Sequence, residues 1–177
     1  HLRAGNTPER TYQIHGNLLF VRCAAGCRPE LRPLAADLTP RERDAPLAPH
    51  ERRRLRCPAC GRWDRPHVLW FDESYDEPLF RFDSSLRAAA ATRLLVVVGT
   101  SGSTNLPNQV AAAVYRGGGT ILDVNPVENP FGALARRTPG GAALRGPSAA
   151  LLPALAALFE EALGKAPALD TGNPPRL

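Results

Sequence analysis

The run LLVVV at 94–98 is apolar at every position and leads directly into the small, hydroxyl-rich segment GTSGS at 99–103. A strand without polar alternation is one buried on both faces, as in a parallel sheet. Before it, Asp83 or Ser84 can cap a helix running to about Arg93, with Leu86, Ala89 and Ala90 facing inward. After it, Pro107 suits the first position of a helix. Val110, Ala111 and Val114 then repeat at helical spacing until Gly117-Gly118-Gly119 ends the pattern. A second strand follows in TILDVNP at 120–126. The order is strand, polar turn, helix, strand, and the carboxyl edge of such a sheet is where α/β proteins bind ligands. A last helix from about Pro153 to Leu163 sets Leu155, Leu158 and Phe159 on one side. The tail from Lys165, rich in proline and small residues, predicts disorder. Near the other end, TYQIHGNLLFVRC at 11–23 is a strand-like run interrupted by His15-Gly16, a dipeptide that taken alone reads as a turn.

Composition narrows this picture. An apolar fraction of 44% and a charged fraction of 22% belong to a soluble globular chain. At 177 residues it is one domain, or one domain with a small satellite. The longest apolar runs, at 94–98 and 149–159, fall short of a membrane span, so no membrane association and a cytoplasmic setting are expected. A chain that begins at His1 and contains no methionine is not expected to start at a natural N-terminus. The net charge of +5 rests on arginine, Lys165 being the one lysine. Its densest cluster, ERRRLR at 51–56, lies in a proline-punctuated stretch that reads as a solvated loop. Nucleic acid is therefore not the expected partner.

The cysteines add chemistry. Cys23-Ala-Ala-Gly-Cys27 and Cys57-Pro-Ala-Cys60 form two close pairs separated by 29 residues. Two disulfides or scattered core thiols are the alternatives, but neither accounts for paired spacing in a chain without further cysteines. Four thiolates in two knuckles can surround a tetrahedral Zn²⁺. Such a closed site offers no vacant position for substrate, so the metal is structural and holds together a ribbon poor in apolar residues.

A glycine-rich phosphate loop after a first strand, the mark of a Rossmann dinucleotide site, is missing. Gly117–Gly119 ends a helix where that loop would begin one. Yet YQIHGNLLFVRC, the two knuckles, RPHVLWFDE at 65–73, VVVGTSGS at 96–103 and LDVNPVENP at 122–130 occur in order. Together they resemble the sirtuins, NAD-dependent protein-lysine deacylases. HLRAGN at the start is similar to the segment after that family's Gln-Asn-Ile-Asp motif, and LRGPSAALLPAL at 144–155 weakly resembles its C-terminal stretch. The resemblance covers about residues 1–160.

The resemblance implies an α/β fold: part of a Rossmann-like parallel sheet flanked by helices, with a small Cys₄ zinc-ribbon module. It assigns residues 1–17 and 71–164 to the NAD-binding portion and 18–70 to the zinc module, leaving 165–177 as a tail. His15 stands at the family's catalytic histidine, and an imidazole with an ordinary pKa of about 6.5 suits general-base work. In the implied reaction the acyl oxygen of a modified lysine attacks the nicotinamide ribose and nicotinamide leaves. The histidine then helps deprotonate ribose hydroxyls, and the products are free lysine and O-acyl-ADP-ribose. Val68, Leu69, Trp70 and Phe71 match the segment lining the acyl-lysine tunnel, with ordinary core as the alternative. Gly99, Thr100 and Ser101 match the turn at the adenosine end of NAD. Asn125 matches a contact to the adenine ribose, with a plain turn former before Pro126 as the alternative. The implied cofactors are NAD and structural Zn²⁺, and the partner is an acylated-lysine protein or peptide.

There are departures. The family's Phe-Gly-Glu is Phe71-Asp72-Glu73 here, which puts peptide preference in question and disfavours acidic substrates. Val127 stands where an acid is usual, so Glu128 receives no role. The first knuckle is C-x₃-C, and the inter-knuckle segment is long. The glycine-rich NAD loop and the Gln-Asn-Ile-Asp motif are absent from these residues, which implies an incomplete, carboxyl-terminal part of the enzyme that does not turn over alone. Two other activities stay open: a sirtuin-like ADP-ribosyltransferase or NAD hydrolase, and a non-enzymatic zinc-ribbon adaptor.

Overall fold

The computed structural model describes residues 1–38, 42 and 44–164; the tail predicted from Lys165 lies outside them. The chain divides into two compact units, His1–Ser85 and the residues from Leu86 onward.

The first unit is built on an antiparallel sheet of β1 (Gly16–Cys23), β2 (Arg32–Pro33) and β3 (Asp64–Val68), in the order β2-β1-β3. Gly16 opposes Val68 and Asn17 opposes His67; the register then shifts, so that Val21 opposes Pro66 and Cys23 opposes Asp64. Within the shifted stretch the Asn17 side chain accepts from the Leu19 backbone N–H at 2.9 Å, and Leu18 and Leu19 turn outward. Pro66, which has no N–H to donate, is tolerated because β3 is an edge strand. This unit also holds the short helices α1 (Pro49–Arg54) and α2 (Glu77–Phe80) and two single 3₁₀ turns at Leu2–Ala4 and Pro8–Arg10.

Helix α1 corrects the expected solvated loop at 51–56. Glu51, buried, reaches back to accept from the Ala48 backbone N–H at 2.7 Å, and Pro49 occupies the first turn. A proline start and a carboxylate at the third helical position are N-terminal helix signals that the arginine run obscured.

Helix α3 (Phe82–Ala90) spans the division between the units. Its inward side is Ser85 and Ala89, with Leu86 half-buried, whereas Ala90 is exposed. At 100° per residue, Ala90 lies a further 100° round from Ala89 and leaves the packed stripe.

The second unit is a parallel sheet of β4 (Leu94–Val98), β5 (Thr120–Asn125) and β6 (Ala142–Arg145), in the order β4-β5-β6. Its helices are α4 (Asn105–Arg116), α5 (Pro130–Ala135) and α6 (Ser148–Gly164). Val97, Ala111, Val114, Ile121, Phe131 and Ala135 form its core. The central strand β5 is buried from Ile121 to Asn125. The LLVVV strand is not buried on both faces as expected: Leu94 and Val98 are each 41% exposed. Among the described residues β4 has β5 as its one neighbour, and an edge strand keeps part of its surface in water.

Two helix starts also differ from expectation. Pro107 is the third residue of α4, not the first, and is tolerated for the same reason, since first-turn N–H groups have no intrahelical partner. Helix α6 begins five residues before Pro153. The Pro147 carbonyl accepts from the Ala150 and Leu151 N–H groups at 3.0 and 3.2 Å, nucleating the helix ahead of the proline. Leu155 and Phe159 are half-buried, but Leu158 is 62% exposed. The packed stripe of α6 is narrower than its apolar one.

Candidate functional site

The four cysteine sulfurs lie within 4.8 Å of one another. Cys23 Sγ is 3.6 Å from Cys60 Sγ, and Cys27 Sγ is 3.5 Å from Cys57 Sγ. A disulfide needs about 2.05 Å, so the disulfide alternative fails. Zn–S bonds of about 2.3 Å in a tetrahedron give sulfur separations of about 3.8 Å, close to those found. Local sequence builds the cluster. Gly26 and Gly61 adopt φ of 63° and 69°, which closes each knuckle, with Gly26 N–H on the Cys23 carbonyl and Gly61 N–H on the Cys57 carbonyl. The Ala24 N–H donates to the Trp63 carbonyl at 3.0 Å and ties one knuckle to the other. Backbone N–H groups also face the sulfurs: those of Cys27 and Ala25 hold the Cys23 thiol down at about 6. Burial opposes ionisation of Cys57, but the N–H groups of Cys60 and Ala59 outweigh it and lower its pKa. The neighbouring sulfurs, Cys60 foremost, push the Cys27 thiol up. Two sulfurs stabilised as thiolates and a third whose ionisation its neighbours oppose are an arrangement that a divalent cation would relieve.

His15 lies in the turn before β1, with its side chain exposed. Its Nε2 is 2.9 Å from the Tyr75 hydroxyl, and the two rings are tilted at 56°. Gly16 follows with φ of 84°, and a Cβ there would overlap the His67 carbonyl oxygen. This glycine lets β1 and β3 approach closely enough to seat the histidine turn. The His15 carbonyl accepts from the Leu69 N–H at 3.1 Å. Thus His15 and the segment Val68–Phe71 meet in the first unit.

Val68 and Leu69 are half-buried, Trp70 is 50% exposed and Phe71 is fully exposed, so neither aromatic is core. Glu73 holds this segment in shape. It pairs with Arg65 through both carboxylate oxygens, accepts from Arg22 at 2.9 Å and accepts from the Trp70 N–H at 2.9 Å. Above all the Arg65 guanidinium holds the Glu73 carboxyl down at about 2, well below its usual 4.5. Asp72, next to it, is exposed.

Gly99, Thr100, Ser101 and Asn125 come together in the second unit, at the carboxyl ends of β4 and β5. The Gly99 N–H donates to the Val124 carbonyl at 3.0 Å, and Asn125 Nδ2 donates to the Thr100 carbonyl at 2.8 Å. Gly99 has φ of 60° and open space where a Cβ would stand. Its backbone conformation, not crowding, calls for glycine. Asn125 is 4% exposed, and its Oδ1 also accepts from the Val127 N–H at 3.3 Å, so it serves the turn as well as the strand tip. Beneath it, fully buried Asp123 accepts from Arg145 at 2.8 Å and Asn129 at 2.9 Å. Glu128, given no role from sequence, pairs with Arg136 and with Arg145.

Sequence reasoning missed Tyr75, the Arg22–Arg65–Glu73 group and the Asp123–Arg145 pair. Their partners lie between 8 and 60 positions apart, and no local period connects them.

An antiparallel ribbon whose four cysteines gather into one cluster, and a parallel α/β unit with polar residues at its strand tips, define an α/β protein with a cysteine centre suited to a metal ion. The Sir2 family profile matches residues 1–105, and the chain belongs to that family. It is 33% identical over 131 residues to an NAD-dependent protein deacylase of Leptospira interrogans serogroup Icterohaemorrhagiae serovar Lai, covering 74% of this chain and 47% of that protein. It is likewise 33% identical over 158 residues to NAD-dependent protein deacylase 1 of Pseudomonas aeruginosa, covering 88% of this chain and 56% of that one. The crystal structure of a Sir2 homolog–NAD complex superposes with a TM-score of 0.72 at 26% identity, over 92% of this chain and 55% of the other. The chain thus spans about half the length of the curated relatives it matches. Among the described residues no helix is long and apolar enough to cross a membrane.

Proposed function

We propose that this chain carries the histidine-bearing and zinc-binding part of an NAD-dependent protein-lysine deacylase, with an acylated-lysine protein or peptide as substrate. The observation that carries the reading is the junction of an exposed His15 with the Leu69 backbone, in a Sir2-family chain whose relatives are named NAD-dependent protein deacylases.

In this reading NAD, when bound, supplies the ribosyl electrophile that takes up the acyl group and releases nicotinamide. His15 accepts a proton from a hydroxyl of the bound reactants, and the Tyr75 hydroxyl on Nε2 orients its ring. The Val68–Phe71 segment follows directly on the end of β3 and turns at Trp70–Glu73; its remaining free backbone groups meet a substrate peptide, while Trp70 and Phe71 offer apolar surface to the acyl-lysine stem. Gly99, Thr100, Ser101 and Asn125 hold the adenosine end of the cofactor through backbone and hydroxyl groups. Cys23, Cys27, Cys57 and Cys60 hold Zn²⁺ in a closed site that stabilises the ribbon. A four-thiolate site needs reduced sulfurs, which suits the cytoplasm.

The test incubates the natural full-length protein with NAD and an acetyl-lysine peptide. Peptide-dependent nicotinamide release with formation of O-acyl-ADP-ribose is expected. His15→Ala is expected to lower turnover by roughly a hundredfold or more with zinc content and melting unchanged; loss of zinc or solubility instead would make the histidine structural. Exposed Asp72, in place of a family glycine, favours one second reading. Peptide-independent nicotinamide release, or protein labelled with ADP-ribose, would establish hydrolase or transferase chemistry in its place.

A further inference from the structure

The first unit contains an ionic cluster that no step above uses. Glu73 is the one carboxylate shared by two largely buried guanidiniums, Arg65 with a side chain 15% exposed and Arg22 with one 18% exposed. The Nε atoms of both arginines are buried without an acceptor, and among the described residues each guanidinium has Glu73 as its ion-pair partner. Each bond from this cluster falls on the same six-residue stretch. Glu73 Oε2 accepts from Arg65 Nη2 at 2.8 Å and from the Trp70 N–H at 2.9 Å. Arg65 Nη2 donates again to the Val68 carbonyl at 3.1 Å, and its guanidinium lies 3.8 Å from the centre of the Trp70 ring. The Glu73 N–H closes the loop onto the Trp70 carbonyl at 3.1 Å.

Both polar backbone groups of Trp70, its ring and the Val68 carbonyl are therefore held from one side. The Phe71 side chain is left fully exposed, and the Leu69 N–H remains on the His15 carbonyl. We propose that Glu73, clamped by Arg65 and Arg22, is a positioning residue that sets the backbone shape of Val68–Phe71 for peptide docking and ties that shape to the His15 turn. The proposal rests on the reading of Val68–Phe71 as the peptide-binding segment. Glu73 touches no substrate; it acts through the loop. Arginine is required at position 65 because a planar fork can meet two carboxylate oxygens and stack on an indole together, which an ammonium cannot do.

The test uses the natural full-length protein with Glu73→Gln and Arg65→Lys. Glutamine keeps the reach but leaves two guanidiniums facing each other without an anion. Lysine keeps the charge but loses the fork. Both variants are expected to raise the KM for an acetyl-lysine peptide roughly tenfold, the scale of a lost charge-assisted hydrogen bond, while kcat and the KM for NAD change little. Hydrogen exchange is expected to quicken at Leu69 and Trp70 with zinc content unchanged. Unaltered exchange in 68–73 would overturn the clamp, whatever the activity. So would a fall in kcat, zinc content and melting temperature together with exchange rising throughout β1 and β3, which would mark a purely structural ion pair. An inactive wild-type protein would defeat the deacylase reading instead, with the exchange measurement still deciding whether Glu73 shapes the loop.

Discussion

His67 brings a titratable ring into the packed side of β3, where it is 3% exposed and lies stacked on Phe80 with ring centres 5.3 Å apart. Burial, helped by the nearby charge of Arg22, lowers its pKa from the ordinary 6.5. A folded state that resists the proton is stabilised relative to the unfolded chain above about pH 6.5, and that share is lost as the pH falls through the lower, folded value. Glu73 adds a separate window. With its carboxyl held at about 2 instead of 4.5, its contribution is present above 4.5 and disappears between those two values. Urea titrations are accordingly expected to show falling midpoints between pH 7 and 5, and His67→Phe, which keeps the stack, is expected to flatten that limb. An unchanged slope in the variant would assign the loss to another group. At this scale the sequence disclosed residue types: four cysteines, a histidine before a glycine, an adjacent Trp70-Phe71 pair. It did not disclose partners, because Arg22 meets Glu73 across 51 positions and His15 meets Tyr75 across 60.

Strand β1 joins the histidine turn to the first knuckle, beginning at Gly16 and ending at Cys23. Its start is its most demanding point, since Gly16 has φ of 84° and its missing Cβ leaves room for the His67 carbonyl. Gly16→Ala is expected to destabilise the first unit by about 2 kcal/mol or more, combining left-handed strain with displacement of β3. A melting curve measured beside Gly5→Ala checks this. Gly5 is also left-handed, at φ of 92°, but has open space around it, so its variant pays for strain alone. Periodicity identified β4, α4 and β5 well, because a continuous apolar run and an i, i+3, i+4 pattern are local signals. It misjudged burial wherever the neighbour decided it. Leu94 and Val98 are half in water because β4 is paired on one side, and Leu158 is exposed because α6 packs along a narrow stripe. The helix over 49–54 was hidden by its arginines, although Pro49 and Glu51 carried its N-terminal signal.

Across the whole molecule, two units hold themselves together by different means. The second has a contiguous apolar core around Ile121, Val114 and Phe131. The first buries few large apolar side chains, Val21 and Phe80 among them, and relies on the cysteine centre and on arginine–carboxylate pairs. Removing zinc with a chelator is therefore expected to open the first unit and spare the second. Hydrogen exchange should accelerate at the amides of β1 and β3 while those of β5 remain protected, and Cys57→Ser should reproduce the pattern without chelator. Equal loss of protection in β5 would show that the parallel sheet depends on the metal centre.

Sequence alone determined the two cysteine pairs that gather into one cluster, the strand–helix–strand order of the second unit and membership of the Sir2 family. All of these are written in residue type, short spacing or motif order, which the chain carries before it folds. Tertiary structure alone decided that Glu73 would be gripped by Arg22 and Arg65, that Tyr75 would meet His15, and that Asp123 would be buried against Arg145. Those pairings follow from strand register and loop closure between distant positions, where the free energy depends on the assembled geometry and not on any local pattern.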